Sequence, residues 1–389
     1  MRIALVILHA DPARGGAERY TVDLADALRS RGQDVALISS TFAPGDPPAG
    51  AVDFGGGSGT RVGRYIRFLG RLDQHLLDNR YDIVHAMLPV RNCDVYHPHA
   101  GIAAEALFGA RARDQGPVMR VIAMASNRLN LRRQRFAAVE LELLTGPRPP
   151  VVLCLSNYLK AGLKRYYSLP ESRLATLFNA TDLKRFDPAA RPQVGIELRG
   201  SLAIAPDRVV ALMIAQDFSR KGLAEAIVAL SHMADPRLIL LVVGKQDPTA
   251  FRKLADEKNV GARVIFAGET SDPYSFYQAS DFFVLPTRHD PCSLVVLEAL
   301  AMGLPVISTV FNGACEIMQN AAHGFILPDP ADVSALADAY RTLLDNATRK
   351  SMSQNCLALR PRLAYEKHIE ELLGIYNQTI AGKTNDRAI

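Results

Sequence analysis

Between Phe282 and Thr309 the chain reads strand, loop, helix, strand, and that order leaves the backbone little freedom. The apolar run Phe282 to Leu285 stops at Pro286, where a buried strand must end. A polar loop leads to Ser293, a good helix N-cap, after which Leu294, Leu297, Leu300 and Ala301 recur at helical spacing. Gly303 and Pro305 close the helix, and Val306-Ile307-Ser308-Thr309 begins another strand. Two strands joined through a helix lie parallel with a right-handed crossover, so the segment dictates an α/β sheet. In an open sheet of this kind ligands bind at the carboxyl ends of the strands. Asp290 is expected at that edge, with Glu298 about one and a half turns into the helix. The amides of Ser293, Leu294 and Val295 at the helix start favour an anion such as a diphosphate.

The same alternation runs through the rest of the 389 residues. Arg2 to Leu8 reads as a strand. An amphipathic helix follows to about Arg31, with Val22, Leu24, Ala25 and Leu28 on its apolar face, and Gly32 ends it before a strand at 34–39. Further strands are expected at 81–86, up to Tyr96, at 151–156 and at 174–178, with a helix at roughly 61–79. The second half places strands at 209–215, 238–243, 263–267, 282–285 and 306–309. Helices follow at 331–344 and about 363–380, and the tail after Gly382 is expected to be disordered. Pro188, Pro192 and Gly195 within a polar stretch mark a domain boundary. With 48% apolar residues, each half can bury its own core. The expected fold is α/β, with two Rossmann-like domains at 1–185 and 186–364.

Several stretches carry chemistry. Gly15-Gly16 opens a helix and lets the backbone approach a phosphate or sugar hydroxyl, a reading its position favours over a mere tight strand-to-helix turn. Gly55 to Gly59 lacks the GxGxxG pattern because Thr60 holds the last position, and it reads as a flexible loop. His97 and His99 share a loop. They could be metal ligands, but no third ligand is spaced to join them; surface positions and substrate hydrogen bonding remain open. In Asp217-Phe218-Ser219-Arg220-Lys221-Gly222, two cations at the carboxyl edge could neutralise a diphosphate. Gly244, which ends the strand at 238–243, could face a nucleotide.

Charge is uneven. Residues 1–200 hold 27 Lys+Arg against 19 Asp+Glu, or +8, while the remainder holds 18 against 21, or −3. Seven arginines (Arg111, Arg113, Arg120, Arg128, Arg132, Arg133, Arg135) stand within residues 111–135 against one acid, Asp114. Interleaved with apolar residues, they predict a basic amphipathic helix that docks on an anionic membrane surface or an anionic acceptor. Stacking aromatics are sparse there and no nucleic-acid motif occurs, so nucleic acid is not an expected partner. No apolar run approaches the ~20 residues needed to span a bilayer, and no signal-peptide pattern precedes the first strand. The five cysteines show no CxxC pairing, which suits a reduced, cytoplasmic protein without structural metal.

Asp290-Pro291-Cys292-Ser293-x4-Glu298 resembles the Glu-x7-Glu motif of the family 4 retaining glycosyltransferases of GT-B fold, with Asp in place of the first Glu. Gly15-Gly16-Ala17-Glu18, Asn179-Ala180-Thr181-Asp182 with Phe186, Arg220-Lys221-Gly222 and Val242-Val243-Gly244 with Pro248 are similar to family segments in the same order. Within the family, Asp94-Val95-Tyr96 and the basic insert resemble the lipopolysaccharide core glucosyltransferase type. The resemblance implies two domains facing a central cleft, with a last helix (365–389) crossing back to the N-terminal domain. It implies a nucleotide-diphosphate sugar, a UDP-sugar in this reading, as co-substrate and no cofactor. Arg220 and Lys221 would clamp the diphosphate, Asp290 and His99 would contact the donor sugar, and Glu298 would bind the ribose. Val264 to Gly268, including Ile265, would contact the base. Arg128, Arg132, Arg133 and Arg135 would meet the acceptor or the membrane at the cytoplasmic face. Ser293 stands where the family has Gly. No Asp-x-Asp occurs, so fixed cations and helix amides, rather than a carboxylate-held metal, are expected to stabilise the leaving diphosphate. The expected activity is transfer of a hexose, with retention, to a membrane-associated glycan or lipid. A sugar-nucleotide epimerase, a phosphorylase or a non-catalytic nucleotide-sugar-binding protein are the alternatives.

Overall fold

A computed structural model describes residues 1–45, 47–108 and 130–386. The chain divides into two compact units, residues 1–178 with 368–389, and residues 179–367. Each is built on one sheet in which every strand pair is parallel.

In the first unit the strands are β1 (Arg2–Val6), β2 (Asp34–Ser39), β3 (Ala51–Asp53), β4 (Ile83–Ala86), β5 (Val95–Tyr96), β6 (Val151–Cys154) and β7 (Leu174–Thr176). Their order across the sheet is β3-β2-β1-β4-β5-β6-β7. The second unit contains β8 (Val209–Ile214), β9 (Leu238–Val243), β10 (Val264–Gly268), β11 (Phe282–Val284), β12 (Val306–Thr309) and β13 (Gly324–Leu327), in the order β10-β9-β8-β11-β12-β13. The uninterrupted apolar sequences VVALMI of β8 and LILLVV of β9 suit strands covered by helices on both faces. They pair from Val209 with Leu238 to Ile214 with Val243. In each sheet the order reverses once, between β1 and β4 and between β8 and β11, so each has a switch point where neighbouring loops diverge.

The edge strands β3 and β13 and the helix Asn346–Ala358 have no counterpart in the sequence reading. The edge strands are short and only partly buried, without an apolar run to reveal them. The domain division also falls earlier than residue 185. Asn179 Nδ2 donates to the Cys292 carbonyl (3.1 Å), Thr181 N to Leu363 O (2.9 Å), and Arg360 Nη1 to Phe186 O (2.8 Å), which holds residues 179–186 to the second unit. Nor does the last helix stop at Gly382: Tyr365–Asp386 is continuous. Lys383 near its end is fixed to Asp94 (2.6 Å) and to the Asp82 carbonyl (2.8 Å). From His368 onward this helix belongs to the first unit. His368 Nδ1 lies 2.8 Å from the carbonyl of Phe178, the residue at which the chain leaves that unit.

Candidate active site

The second unit brings Arg220, Lys221, Asp290 and the start of the helix after Ser293 together at the β8/β11 switch point. The loop after β8 turns on Asp217, whose Oδ1 accepts from Arg220 N (3.0 Å) and whose carbonyl accepts from Lys221 N (3.0 Å). Gly222 ends the turn with φ 82°, a left-handed conformation, and a Cβ there would sit 2.3 Å from the Pro286 carbonyl. Glycine thus permits the β8 and β11 loops to touch. They are stitched further by Arg288 N donating to Arg220 O (3.0 Å) and Arg220 Nη1 to His289 O (2.7 Å). The β12 loop joins from the other side, where Asp290 N donates to Phe311 O (2.9 Å) and Gly313 N to Asp290 O (3.0 Å).

Lys221 Nζ donates to Asp290 Oδ2, and both residues are 8% exposed. Burial opposes ionisation of Asp290, but the Lys221 ammonium, through its charge and its hydrogen bond, outweighs it with help from Arg220 and His289. The carboxyl is held below its ordinary range. Burial also draws Lys221 below the usual lysine range, with the Asp290 charge opposing. The two side chains assigned separately, one to sugar and one to diphosphate, are therefore partners. A pair of charges removed from water this way needs each other. Arg220 is less buried and also lies 3.5 Å from Asp217.

Helix Leu294–Ala301 begins beside this pair. Ser293 is its N-cap by position, but its side chain makes no capping bond. Asn312 Oδ1 accepts from Ser293 N instead (3.3 Å), so one of the three amides expected to meet an anion already has a partner. Leu294 and Val295 are half-buried, and their amides, in the first turn, have no carbonyl four residues back. One turn on, Glu298 Oε2 accepts from the hydroxyl of buried Tyr277 (2.7 Å). Neither Tyr277 nor Asn312 was visible from sequence, since each lies on an element whose position only the fold supplies. Gly244 follows β9 directly at its carboxyl end and is half-buried, whereas Ile265 lies away from that edge. A Cβ on Gly244 would lie 2.0 Å from Ala215 O and 2.8 Å from Phe218, so steric contact alone demands glycine there. Ile265 sits mid-strand in β10, paired with Leu241; the carboxyl end of that strand is Gly268. Among the described residues no group of three His, Cys, Asp or Glu side chains could hold a metal ion.

In the first unit Gly15 is extended (φ 171°, ψ −179°), and a Cβ there would meet Glu18 Oε2 at 3.0 Å. Gly16 starts the helix Gly16–Ser30. Tyr20 on this helix lies 4.5 Å, ring to ring, from His99 and 5.4 Å from His97. His97 is fully buried and stacks on His85 (5.3 Å), while His99 is only half-buried, so of the two His99 is the one able to reach a ligand. Of the arginines, Arg128 lies outside the described residues. Arg132, Arg133 and Arg135 sit in the first turn and a half of helix Leu131–Thr145.

Two family patterns match the chain: "Glycosyltransferase Family 4" over residues 14–185 and "Glycosyl transferases group 1" over residues 196–357. The chain belongs to the family 4 glycosyltransferases. Lipopolysaccharide glucosyltransferase WaaG of Escherichia coli is 24% identical over 348 residues, covering 88% of this chain and 89% of WaaG. A D-inositol 3-phosphate glycosyltransferase of Thermobifida fusca is also 24% identical, over 97% of this chain and 94% of its own length. The crystal structure of WaaG superposes with a TM-score of 0.81 at 23% identity, over 96% of this chain and 99% of that one, and shows that this glycosyltransferase has the GT-B fold. Anabaena HepE, solved with UDP and glucose, gives 0.71 at 17% identity over 97% and 100% of the two chains. No helix among the described residues of the glycosyltransferase is long and apolar enough to cross a membrane.

Proposed function

We propose that this glycosyltransferase transfers a hexose, with retention of anomeric configuration, from a UDP-sugar to a membrane-associated glycan or lipid acceptor such as a lipopolysaccharide core, without a metal ion. The observation that carries this reading is the meeting of Arg220, Lys221 and Asp290 with the start of helix Leu294–Ala301 at the β8/β11 switch point. The diphosphate of the donor is dianionic or more, and it gains charge as the glycosidic C–O bond breaks. Guanidinium, ammonium and first-turn amides held in place by the surrounding loops stabilise that charge without reorganising. When the diphosphate takes up the Lys221 ammonium, Asp290 is left to accept a hydrogen bond from a sugar hydroxyl. Glu298, oriented by Tyr277, has the acceptor oxygens to bind the ribose diol. For retention, the acceptor oxygen forms its bond on the face the diphosphate leaves, and the acceptor proton passes to a diphosphate oxygen. HepE, solved with UDP and glucose, supports the donor class, and WaaG supports the acceptor class. In this reading the enzyme works peripherally at the cytoplasmic face of the membrane, held there by Arg132, Arg133 and Arg135.

Transfer from labelled UDP-glucose to membrane extracts tests the reading. Activity should persist in excess EDTA, and Arg220→Ala should lower kcat by about 10²–10³, the usual cost of one such donor. If Arg220→Ala and Glu298→Ala leave donor binding and turnover unchanged, the site is wrongly placed.

A further inference from the structure

Glu140 is sealed inside the first unit (0% exposed), and three donors converge on its carboxyl group. Tyr96 Oη donates to Oε1 (2.6 Å), while Tyr167 Oη (2.7 Å) and Ala104 N (3.1 Å) donate to Oε2. Taking a carboxyl group out of water is costly, and here it spans the two ends of one loop. Tyr96 is the last residue of β5, paired with Ala86 in β4 and Val152 in β6. Ala104 lies in the first turn of helix Ala103–Phe108. Between them runs His97-Pro98-His99-Ala100-Gly101-Ile102, with His99 in the middle, half-buried, its ring 4.5 Å from that of Tyr20.

The near end of this loop is set by the sheet, where His97 N donates to Ala86 O (2.8 Å). Within the loop the bonds are local: His99 N donates to His97 O (2.7 Å) and Gly101 N to Pro98 O (2.9 Å), so they tie the loop to itself. At the far end Ile102 packs so closely on Gly162 that a Cβ there would lie 2.8 Å from Ile102 Cδ1. Apolar packing is non-directional, and Glu140 adds the directional bond. Its own helix, Leu131–Thr145, is a firm base, since Phe136 stacks on Tyr65 at 4.2 Å and Val139, Leu143 and Leu144 are buried. We infer that Glu140 is the positioning residue for His99: by joining Tyr96 to Ala104 it fixes the loop that presents the imidazole to substrate. This rests on the transferase reading above, with His99 as a substrate contact. The role needs reach rather than charge. Gln keeps the length, since its oxygen can accept from Ala104 N and Tyr167 while its amide donates to the Tyr96 hydroxyl oxygen. Asp keeps the charge but is one methylene too short to join Tyr96 to Ala104.

Transfer from UDP-glucose to membrane extracts, with NMR of the full chain labelled at histidine, tests this. Glu140→Asp should lower kcat about tenfold or more, the scale of an ångström of misplacement, with KM for UDP-glucose within about threefold of wild type. Glu140→Gln should stay near wild type. Tyr167→Phe removes another hydrogen bond of the same carboxyl group but leaves both ends of the loop tied, so it should lower the thermal midpoint and spare kcat. In a His99→Ala background there is no imidazole to misplace, and Glu140→Asp should then cost kcat no more than about twofold. The His99 signal, identified by its loss in His99→Ala and displaced by the Tyr20 ring, should move in Glu140→Asp and hold in Glu140→Gln. If Glu140→Asp does not fold, Tyr96→Phe cuts the tether at its sheet end and takes its place, with the same expected signs. Equal losses in the Asp and Gln variants, losses that multiply in the double variant, or an unmoved His99 signal in Glu140→Asp overturn the inference, as does His99→Ala with wild-type turnover. No transfer by wild type would instead strike the transferase reading, while the His99 signal still decides whether Glu140 sets the loop.

Discussion

Replacing Lys221 by Met measures what the Lys221–Asp290 pair contributes to stability, apart from the role in catalysis proposed for it. Both side chains are buried, so the variant strands the Asp290 carboxylate away from water with its principal cation removed. Breaking one side of a buried pair costs about 3–5 kcal/mol. At about 1.4 kcal/mol per factor of ten, amide exchange in β8 and β11 should accelerate by roughly 10² to 10⁴ when it proceeds through opening of the second unit. Hydrogen-exchange mass spectrometry of peptides covering Val209–Ile214 and Phe282–Val284 reads this without a tryptophan, which the chain lacks. The double variant Lys221→Met with Asp290→Leu removes both charges and should recover most of the loss. The pH dependence has opposite signs in the two proteins. In the wild type the Asp290 carboxyl is held low, so its contribution is present above the ordinary carboxylate range and is lost as pH falls through its depressed pKa. In Lys221→Met burial dominates, so acidification relieves the deficit by protonating Asp290. Exchange within threefold of wild type in the single variant, or no recovery in the double, would refute the argument.

Three further outcomes are expected. Tyr277→Phe deletes the hydroxyl that donates to Glu298 Oε2 and should destabilise the second unit by about 1.5–3 kcal/mol, the range for a hydrogen bond to a charged group, as seen in urea midpoints. Gly244→Ala should give little folded protein, because its Cβ would collide with Ala215 O; normal stability with weakened UDP binding would restore a nucleotide role to this glycine. Acid should weaken the first unit: burial lowers His85 to about 3, His368 to about 4 and His97 well below its usual range. In the unfolded chain they titrate near 6.5, so their stability is present above that pH and drains at about 1.4 kcal/mol per unit for each as pH falls toward the folded values. Calorimetric midpoints at pH 7.5 and 5.5 should therefore differ, and His97→Gln should reduce the difference.

The parallel sheets were legible because β1, β8 and β9 are largely apolar runs separated by helix-period segments, and burial on both faces leaves such runs nowhere else to go. The placing of Arg220, Lys221 and Asp290 at one edge followed from chain order alone, since loops after parallel strands share an edge. Their pairing did not. Which of two cations meets a carboxylate depends on side-chain direction across two loops, and Gly222, by permitting the contact with Pro286, settles it. Ser293 looked like a cap because its residue type is a cap; Asn312, arriving from another strand, took the amide first.

The return of the chain at His368 makes the halves inseparable by a single cut. Tyr20 reaches His368 Nε2 (2.7 Å), and Tyr376 reaches His85 Nδ1 (2.6 Å), so the last helix plugs the interior of the unit formed by the beginning of the protein. A fragment ending at Phe178 would expose His85 and Tyr20 in an open socket. Dissection of this glycosyltransferase into two independent units therefore calls for grafting residues 368–386 onto the amino-terminal piece, or supplying them as a separate peptide.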